Sequence, residues 1–273
     1  RVSQNYLQLE DMLKALVFIE KNERELFLRE TSMLLYGDSK YLEENTLHAV
    51  CRALREYLER PCREDEMEDE ILKEYHIVRE RQKLCLKGNM TIRVAGKELE
   101  LGVFAGGVEF FADELERLEW IHIHTPHFMT VENRTSWLRL KIPDAVLFYL
   151  GGYCARSQRD FLKKVSEDNP ELTFWHFGDM DAGGFYIHEH LCRLTGIPFR
   201  LYRMSLKELK DPRFQSCLRP LTQQDRIRLK SLQKQELYRD LVMYMLEKNI
   251  KLEQEIVSFY GTGSERIDKY FIY

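Results

Sequence analysis

No apolar run in this chain approaches the roughly 20 residues a helix needs to cross a membrane. Neither a membrane address nor a secretory one is therefore expected. The six cysteines (Cys51, Cys62, Cys85, Cys154, Cys192 and Cys217) are scattered without a CxxC pair, which speaks against a zinc ribbon or a disulfide framework. Reduced thiols in a cytoplasmic protein are the expectation. An excess of positive charge is missing too: the formal net charge is -4, so a nucleic-acid surface would have to come from local clustering.

Clustering is present. Residues 60–74 form an acidic block, and 193–213 carry Arg193, Arg200, Arg203, Lys207, Lys210 and Arg213. Each run taken alone reads as a solvated face. With 273 residues, 44% of them hydrophobic, the chain can bury one or two cores, and the different patterns of its halves favour two.

In the first half, Leu47, Val50, Cys51, Leu54, Tyr57 and Leu58 recur at helical spacing before Pro61. Met90, Ile92 and Val94 then alternate against Leu99 and Leu101 across an Ala-Gly-Lys turn, a hairpin pattern. Helices leading into such a hairpin predict a winged-helix-like unit over 1–105, with Gly106-Gly107 as the boundary.

Beyond it, four short apolar runs (HFMTVEN, AVLFYLGG, LTFWHFGD and PFRLYRM) alternate with helical stretches, one of them expected to open at Ser157 with Asp160 three residues on. Alternation of this kind predicts an α/β domain, a Rossmann-like four-stranded parallel sheet covered on both faces. The domain should span 106–257 with its C-terminal helices, in which Leu229, Leu232, Leu237, Leu241, Met245 and Leu246 point inward. Residues 258–273 form a tail without pattern.

Ligands of open parallel sheets sit beyond the carboxyl ends of the strands. Two of the four runs end in acids there: the first at Glu132, the third at Asp179 and Asp181. If those two strands are neighbours, three carboxylates converge, and either some stay protonated or a cation sits among them. A hard divalent ion suits oxygen ligands, and one or two such ions serve displacement at phosphorus. Gly183 and Gly184 would let a phosphate approach the following helix.

These residues carry a resemblance. Glu at the end of the first strand with Asp-x-Asp at the end of the third is similar to the Toprim domain of topoisomerases, primases and nucleases. GGYCARSQRDFL with FGDMDAGGFYIHEHL resembles the A subunit of topoisomerase VI, and NERELFLRETSMLLYGDSKYLEE with KLEQEIV resembles the JetD subunits of the Wadjet anti-plasmid systems, from about residue 20 to 257. The resemblance implies a homodimeric, Mg2+-dependent endonuclease (Mn2+ substituting) acting on double-stranded plasmid DNA with an SMC-kleisin-type motor complex. Glu132, Asp179 and Asp181 would be its metal-binding and catalytic acids, Glu132 activating water. Such proteins carry a further amino-terminal domain, expected to be missing here in part or whole. Two departures stand out: Gly183 where many Toprim enzymes have a third Asp, and Asn133 where a glycine commonly follows the Glu.

A tyrosine transesterase would need a positioned nucleophile, and the topoisomerase VI group shows an Arg shortly before a Tyr-Tyr pair. Tyr6, Tyr36, Tyr41, Tyr57 and Tyr75 lack that context, so hydrolysis by water is favoured. A silent DNA-binding scaffold and an RNA-processing nuclease are the other readings. Arg134, Lys141, Arg156 and Arg159 flank the acids in sequence and would grip phosphates, or else are surface cations. His122, His124 and His127 form a conceivable metal cluster, His188 and His190 face differently, and His176, Trp137 and Trp175 read as core.

Overall fold

The computed structural model describes residues 6–57, 68–79, 82–261 and 266–267. Leu58, Pro61, Cys62, most of the acidic block and most of the tail lie outside them. Two compact units divide the chain, Arg1–Gln82 and Lys83–Tyr273.

The first unit holds α1 (Tyr6–Glu20), β1 (Leu26–Phe27), α2 (Leu28–Tyr36), a π-helical turn (Leu42–Thr46), α3 (Leu47–Tyr57), α4 (Glu68–Glu74) and β2 (Ile77–Val78). Helix α3 buries Leu47, Val50, Cys51 and Leu54, the i, i+3, i+4, i+7 stripe read from sequence. Tyr57, expected on that stripe, is exposed. Ala15, Ile19, Leu35, Leu42 and Ile71 belong to the same core. Tyr36 and Tyr41 both donate to Asp11, to its carbonyl and its carboxylate respectively.

In the second unit the strands are β3 (Lys83–Lys87), β4 (Met90–Val94), β5 (Lys97–Glu100), β6 (Val108–Phe111), β7 (Leu118–Ile123), β8 (His127–Val131), β9 (Ala145–Tyr149), β10 (Thr173–Phe177) and β11 (Arg200–Leu201). Its helices are α5 (Arg134–Arg139), α6 (Arg156–Asp168), α7 (Ala182–Thr195), α8 (Leu206–Lys210), α9 (Gln223–Leu232), α10 (Arg239–Lys248) and α11 (Gln254–Tyr260).

The four apolar runs become β8, β9, β10 and β11, and they pair in parallel. They do not form a sheet by themselves. The order is β11-β10-β8-β9-β3-β6, and β3 and β6 add antiparallel strands, so the sheet is six-stranded and mixed. Val94 and Lys97 pair across Ala95-Gly96, both at positive φ as a two-residue hairpin requires. That hairpin belongs to the second unit, where β4 also pairs with β7; the compact division therefore falls before it and not at Gly106-Gly107.

Side-chain parity along the parallel strands separates two cores. Met129, Val131, Leu147, Trp175 and Phe177 join Trp137, Leu229, Leu232, Val242, Met245 and Val257, while Phe128, Val146, Phe148 and Phe174 join Phe161, Leu162, Ile187 and Leu191. Burying each such side chain contributes about 1.5–3 kcal/mol, which is why these strands read as continuous apolar runs. Leu237, expected inward, is exposed. Helix α6 starts one residue before the expected Ser157: Gln158 reaches back to the Ala155 N–H at 3.0 Å, doing what Asp160 was expected to do.

Candidate metal centre

Strands β8 and β10 are direct neighbours, with Phe177 opposite Val131. Glu132 follows β8, and its N–H donates to the Phe177 carbonyl at 3.0 Å, so the ladder runs one residue past the strand end. Asp179 follows β10, and its N–H donates to Glu132 Oε2 at 3.2 Å. The two strands are thus adjacent, the condition set for the three carboxylates to converge, and the backbone of Asp179 meets the Glu132 carboxylate.

Gly178 makes the meeting possible. A Cβ there would lie 2.6 Å from Glu132 Oε2 and 2.8 Å from His176 Nε2. On the far side, Gly151 and Gly152 both take positive φ, and the Gly151 N–H donates to the Glu132 carbonyl at 3.2 Å.

Asp181 is the N-cap of α7: Oδ1 accepts the Gly184 N–H at 3.0 Å, and Oδ2 lies 3.5 Å from Lys251 Nζ. Lys251 also reaches Asp225 Oδ2 at 3.1 Å, so one cation is shared between two carboxylates. The glycine pair is not an open phosphate cradle. A Cβ on Gly184 would lie 2.2 Å from the Asp179 carbonyl oxygen, so the pair lets α7 close against the aspartate loop.

The sequence reading assigns no site residue to the KLEQEIV segment, which closes the site. Met180 and Leu252 exchange backbone hydrogen bonds at 2.9 and 3.3 Å, and Arg219 and Lys251 do so at 3.0 and 2.8 Å, laying residues 251–252 beside the aspartate loop. Gln254, 1% exposed, then acts as a clamp: its N–H donates to Asp179 Oδ1 at 2.7 Å and its Nε2 to the Phe177 carbonyl at 2.7 Å. Its Oε1 accepts the Asn133 N–H at 2.8 Å. Glu253 and Glu255 are thereby brought to the acids, and with Asp179 they present carboxylate oxygens within 4.8 Å of one another. Among the described residues this is the group of acids, histidines and cysteines placed to hold an ion.

Asn133, the departure from glycine, has two tasks. Its side-chain oxygen caps α5 by accepting from Thr135 and Ser136, and its Nδ2 donates to Glu255 Oε1 at 2.6 Å.

Electrostatics follow from this crowding. Burial, then the nearby Asp179 charge, pushes the Glu132 carboxyl up to about 8, against the Asp179 N–H that favours its ionised form. Burial likewise raises Asp179 to about 7, with Asp181, Glu253 and Glu255 adding repulsion. Asp181 is raised by burial, opposed by the Gly184 amide and Lys251. Glu255 Oε2 is buried and has no hydrogen-bond partner among the described residues. Hard oxygen donors, protons retained for want of countercharge and one orphaned carboxylate oxygen are what a divalent cation would satisfy.

The expected phosphate grips fare differently. Arg134 closes on Glu109 of β6 and lies over the Tyr149 ring at 5.4 Å, so it is engaged within the fold. Arg156 and Arg159 both approach Asp160, at 4.0 and 3.7 Å, and Lys141 is exposed. In the basic run, Arg213 pairs with Asp211, Lys210 lies over Tyr244, and Arg200 and Arg203 lie over Trp175 and Tyr202.

The histidines form no metal group among the described residues. His122 and His124 pack edge to face at 4.7 Å, and His124 bonds Thr91. His176 is fully buried; its Nδ1 meets Thr130 Oγ1 at 2.9 Å, and burial holds it well below the ordinary histidine range. Trp137 and Trp175 are core, as read from sequence. No helix of the described residues is long and apolar enough to span a membrane.

The chain is 26% identical over 251 residues to a protein of Bacillus cereus (strain Q1) named Wadjet protein JetD, an alignment covering 90% of this chain and 61% of that protein. The chain thus spans about three fifths of that relative's length. Residues 86–263, which include Glu132, Asp179, Asp181, Glu253 and Glu255, match the family described as Wadjet protein JetD, C-terminal. The chain belongs to the Wadjet JetD family.

Proposed function

We propose that the second unit is a Toprim-type nuclease module that hydrolyses phosphodiester bonds of double-stranded plasmid DNA with Mg2+, Mn2+ substituting. The observation that carries this reading is the hydrogen bond from the Asp179 N–H to the Glu132 carboxylate at the carboxyl ends of adjacent parallel strands, with the carboxylates of Glu253 and Glu255 beside that of Asp179. The parallel run β11-β10-β8-β9 supports the Toprim assignment, with β3 and β6 as an extension.

In this reading Glu132, Asp179 and Asp181 hold the cation, which when bound supplies Lewis-acid polarisation of the phosphodiester. Glu132 is the group to take a proton from the attacking water. Burial raises its pKa in the cation-free chain, and a bound cation would favour the ionised form that can accept a proton. Asp181 is set by its N-cap bond and Lys251, and Gln254 fixes Asp179, so two of the acids have little rotamer freedom left to lose. Full activity is assigned to a homodimer recruited by an SMC-kleisin-type motor complex of the Wadjet system.

The test is cleavage of closed circular DNA with Mg2+ or Mn2+, with the motor complex present, comparing the parent with Glu132→Gln and Asp179→Asn. The parent should cut and both variants should lose at least about a hundredfold in rate, as for removal of a positioned proton acceptor. Equal activity in all three would reduce the acids to structural roles. A DNA 5′ end trapped covalently on the protein would replace hydrolysis with transesterification.

A further inference from the structure

His176 of β10 is fully buried, and the mechanism proposed above makes no use of it. Thr130 on the neighbouring β8 lies with Oγ1 2.9 Å from His176 Nδ1 and 3.3 Å from the Trp175 carbonyl, so its hydroxyl proton is better placed on the ring nitrogen. With Nδ1 accepting, the neutral imidazole carries its own proton on Nε2. Burial keeps the ring neutral, helped by the His188 ring at 5.6 Å. Nε2 is itself buried and has no hydrogen-bond partner among the described residues. His188 cannot serve it, since both of its nitrogens are taken, by the Tyr238 hydroxyl and the Phe199 carbonyl. Against Nε2 lies Gly178. The point where a side chain of residue 178 would begin is 2.8 Å from His176 Nε2 and 2.6 Å from Glu132 Oε2, so the two atoms flank one gap that glycine leaves open. A buried N–H without an acceptor costs free energy, and across that gap stands a carboxylate oxygen.

From this geometry we propose that His176 is a positioning residue for Glu132, its Nε2–H donating to Oε2 across the gap at Gly178. The inference rests on the metal-dependent nuclease reading of the same site. The two atoms are not bonded in this structure, and a turn of the carboxyl towards the ring closes the contact with no Cβ in its way. Oε2 already accepts the Asp179 N–H at 3.2 Å. A second donor holds that oxygen from two sides and leaves Oε1 to face cation and water. The ring acts on the carboxylate alone, and Thr130 sets its tautomer.

Cleavage of closed circular DNA with Mg2+ and the motor complex, comparing the parent with His176→Phe and His176→Gln, is the first test. Phenylalanine keeps a ring and loses the donor, whereas glutamine sets an amide N–H where Nε2–H stood. His176→Phe should lower kcat about 10–100-fold with KM for DNA unchanged, and His176→Gln should recover most of that loss. Parental rates in His176→Phe would overturn the proposal, as would equal losses in both variants. A second readout needs no cutting and no substitution of the histidine in the measured protein: the imidazole nitrogen and proton resonances of His176, assigned by their absence in His176→Gln. Nε2 should carry a proton, and that proton should move upfield in Glu132→Gln, where a neutral amide oxygen accepts more weakly. A bare Nε2, or a resonance that Glu132→Gln leaves in place, sinks the proposal even if His176→Phe folds poorly. A parent that cuts with an unmoved resonance fells the bond alone. A parent that never cuts, with a resonance that moves, fells the nuclease and leaves the bond standing.

Discussion

Gln254 Nε2 donates to the carbonyl of Phe177, the last residue of β10, at 2.7 Å, joining two positions 77 residues apart. The same side chain accepts from Asn133 at 2.8 Å, so one buried amide ties the end of β10 to the cap of α5. Gln254→Leu keeps the volume and removes both bonds. The Phe177 carbonyl keeps the Glu132 N–H, so the Asn133 N–H is the group left orphaned, and unfolding in urea should show a loss of about 1–3 kcal/mol. Stability within about 0.5 kcal/mol of the parent would mean that the clamp is replaced by water.

The acids make stability depend on pH. Glu132 and Asp179 keep protons in the folded chain at about 8 and about 7, above their ordinary values of 4.5 and 3.8. Between those limits the native state binds more protons than the unfolded one, so this contribution is complete in acid and is lost as pH rises through 7 and 8. In EDTA the melting temperature should fall between about pH 5.5 and 8.5, and Glu132→Gln should flatten the upper part of that fall. Mg2+ should restore stability most at the alkaline end, where a cation takes the place of the protons. A parent and a Glu132→Gln variant with the same profile would contradict the burial described for this carboxyl.

Gly184 and Gly183 separate space from flexibility. A Cβ on Gly184 meets the Asp179 carbonyl oxygen at 2.2 Å, whereas one on Gly183 comes only to 3.2 Å from Asp181 Oδ1. Gly184→Ala should cost about 3 kcal/mol or more by overpacking against backbone, and Gly183→Ala should cost less than about 1 kcal/mol. Thermal unfolding of the two variants decides it; equal effects would mean that the loop shifts freely.

Lys251→Met tests the shared cation. Lys251 Nζ lies between Asp181 and Asp225, with side-chain exposures of 16%, 22% and 11%. Losing charge-assisted hydrogen bonds at such partly buried groups should cost about 1.5–3 kcal/mol. Because Asp181 then loses its counterion, the loss should be smaller at pH 5 than at pH 8. A pH-independent loss would assign Lys251 to packing by its aliphatic stem.

Legibility followed range along the chain. Strands β8, β9 and β10 could be read because residues such as Phe128, Val131, Phe148 and Trp175 are buried on both faces, which forces continuous apolar runs with acids only where the strands end. Glu253 and Glu255 could not, although the KLEQEIV segment carrying them was noticed. Their place depends on isolated backbone bridges, Met180 with Leu252 and Arg219 with Lys251, which leave no periodicity. Arg134, which the sequence offers as a phosphate grip or a surface cation, has a partner that the sequence does not show, because Glu109 sits on β6, an antiparallel addition that alternation of strands and helices does not foretell. The one local hint at the missed acids was a second pair of carboxylates spaced like Asp179 and Asp181.

The bridge between Met180 and Leu252 also bears on how the protein comes into being. Residues 253 and 255 leave the ribosome long after the strand acids, and they reach the cluster only when this late stretch settles beside the aspartate loop. A nascent chain, or one clipped near residue 250, would carry the strand carboxylates without their closing segment. Completion of the anionic cluster is therefore tied to arrival of residues 251–255, and an unfinished copy holds only part of it.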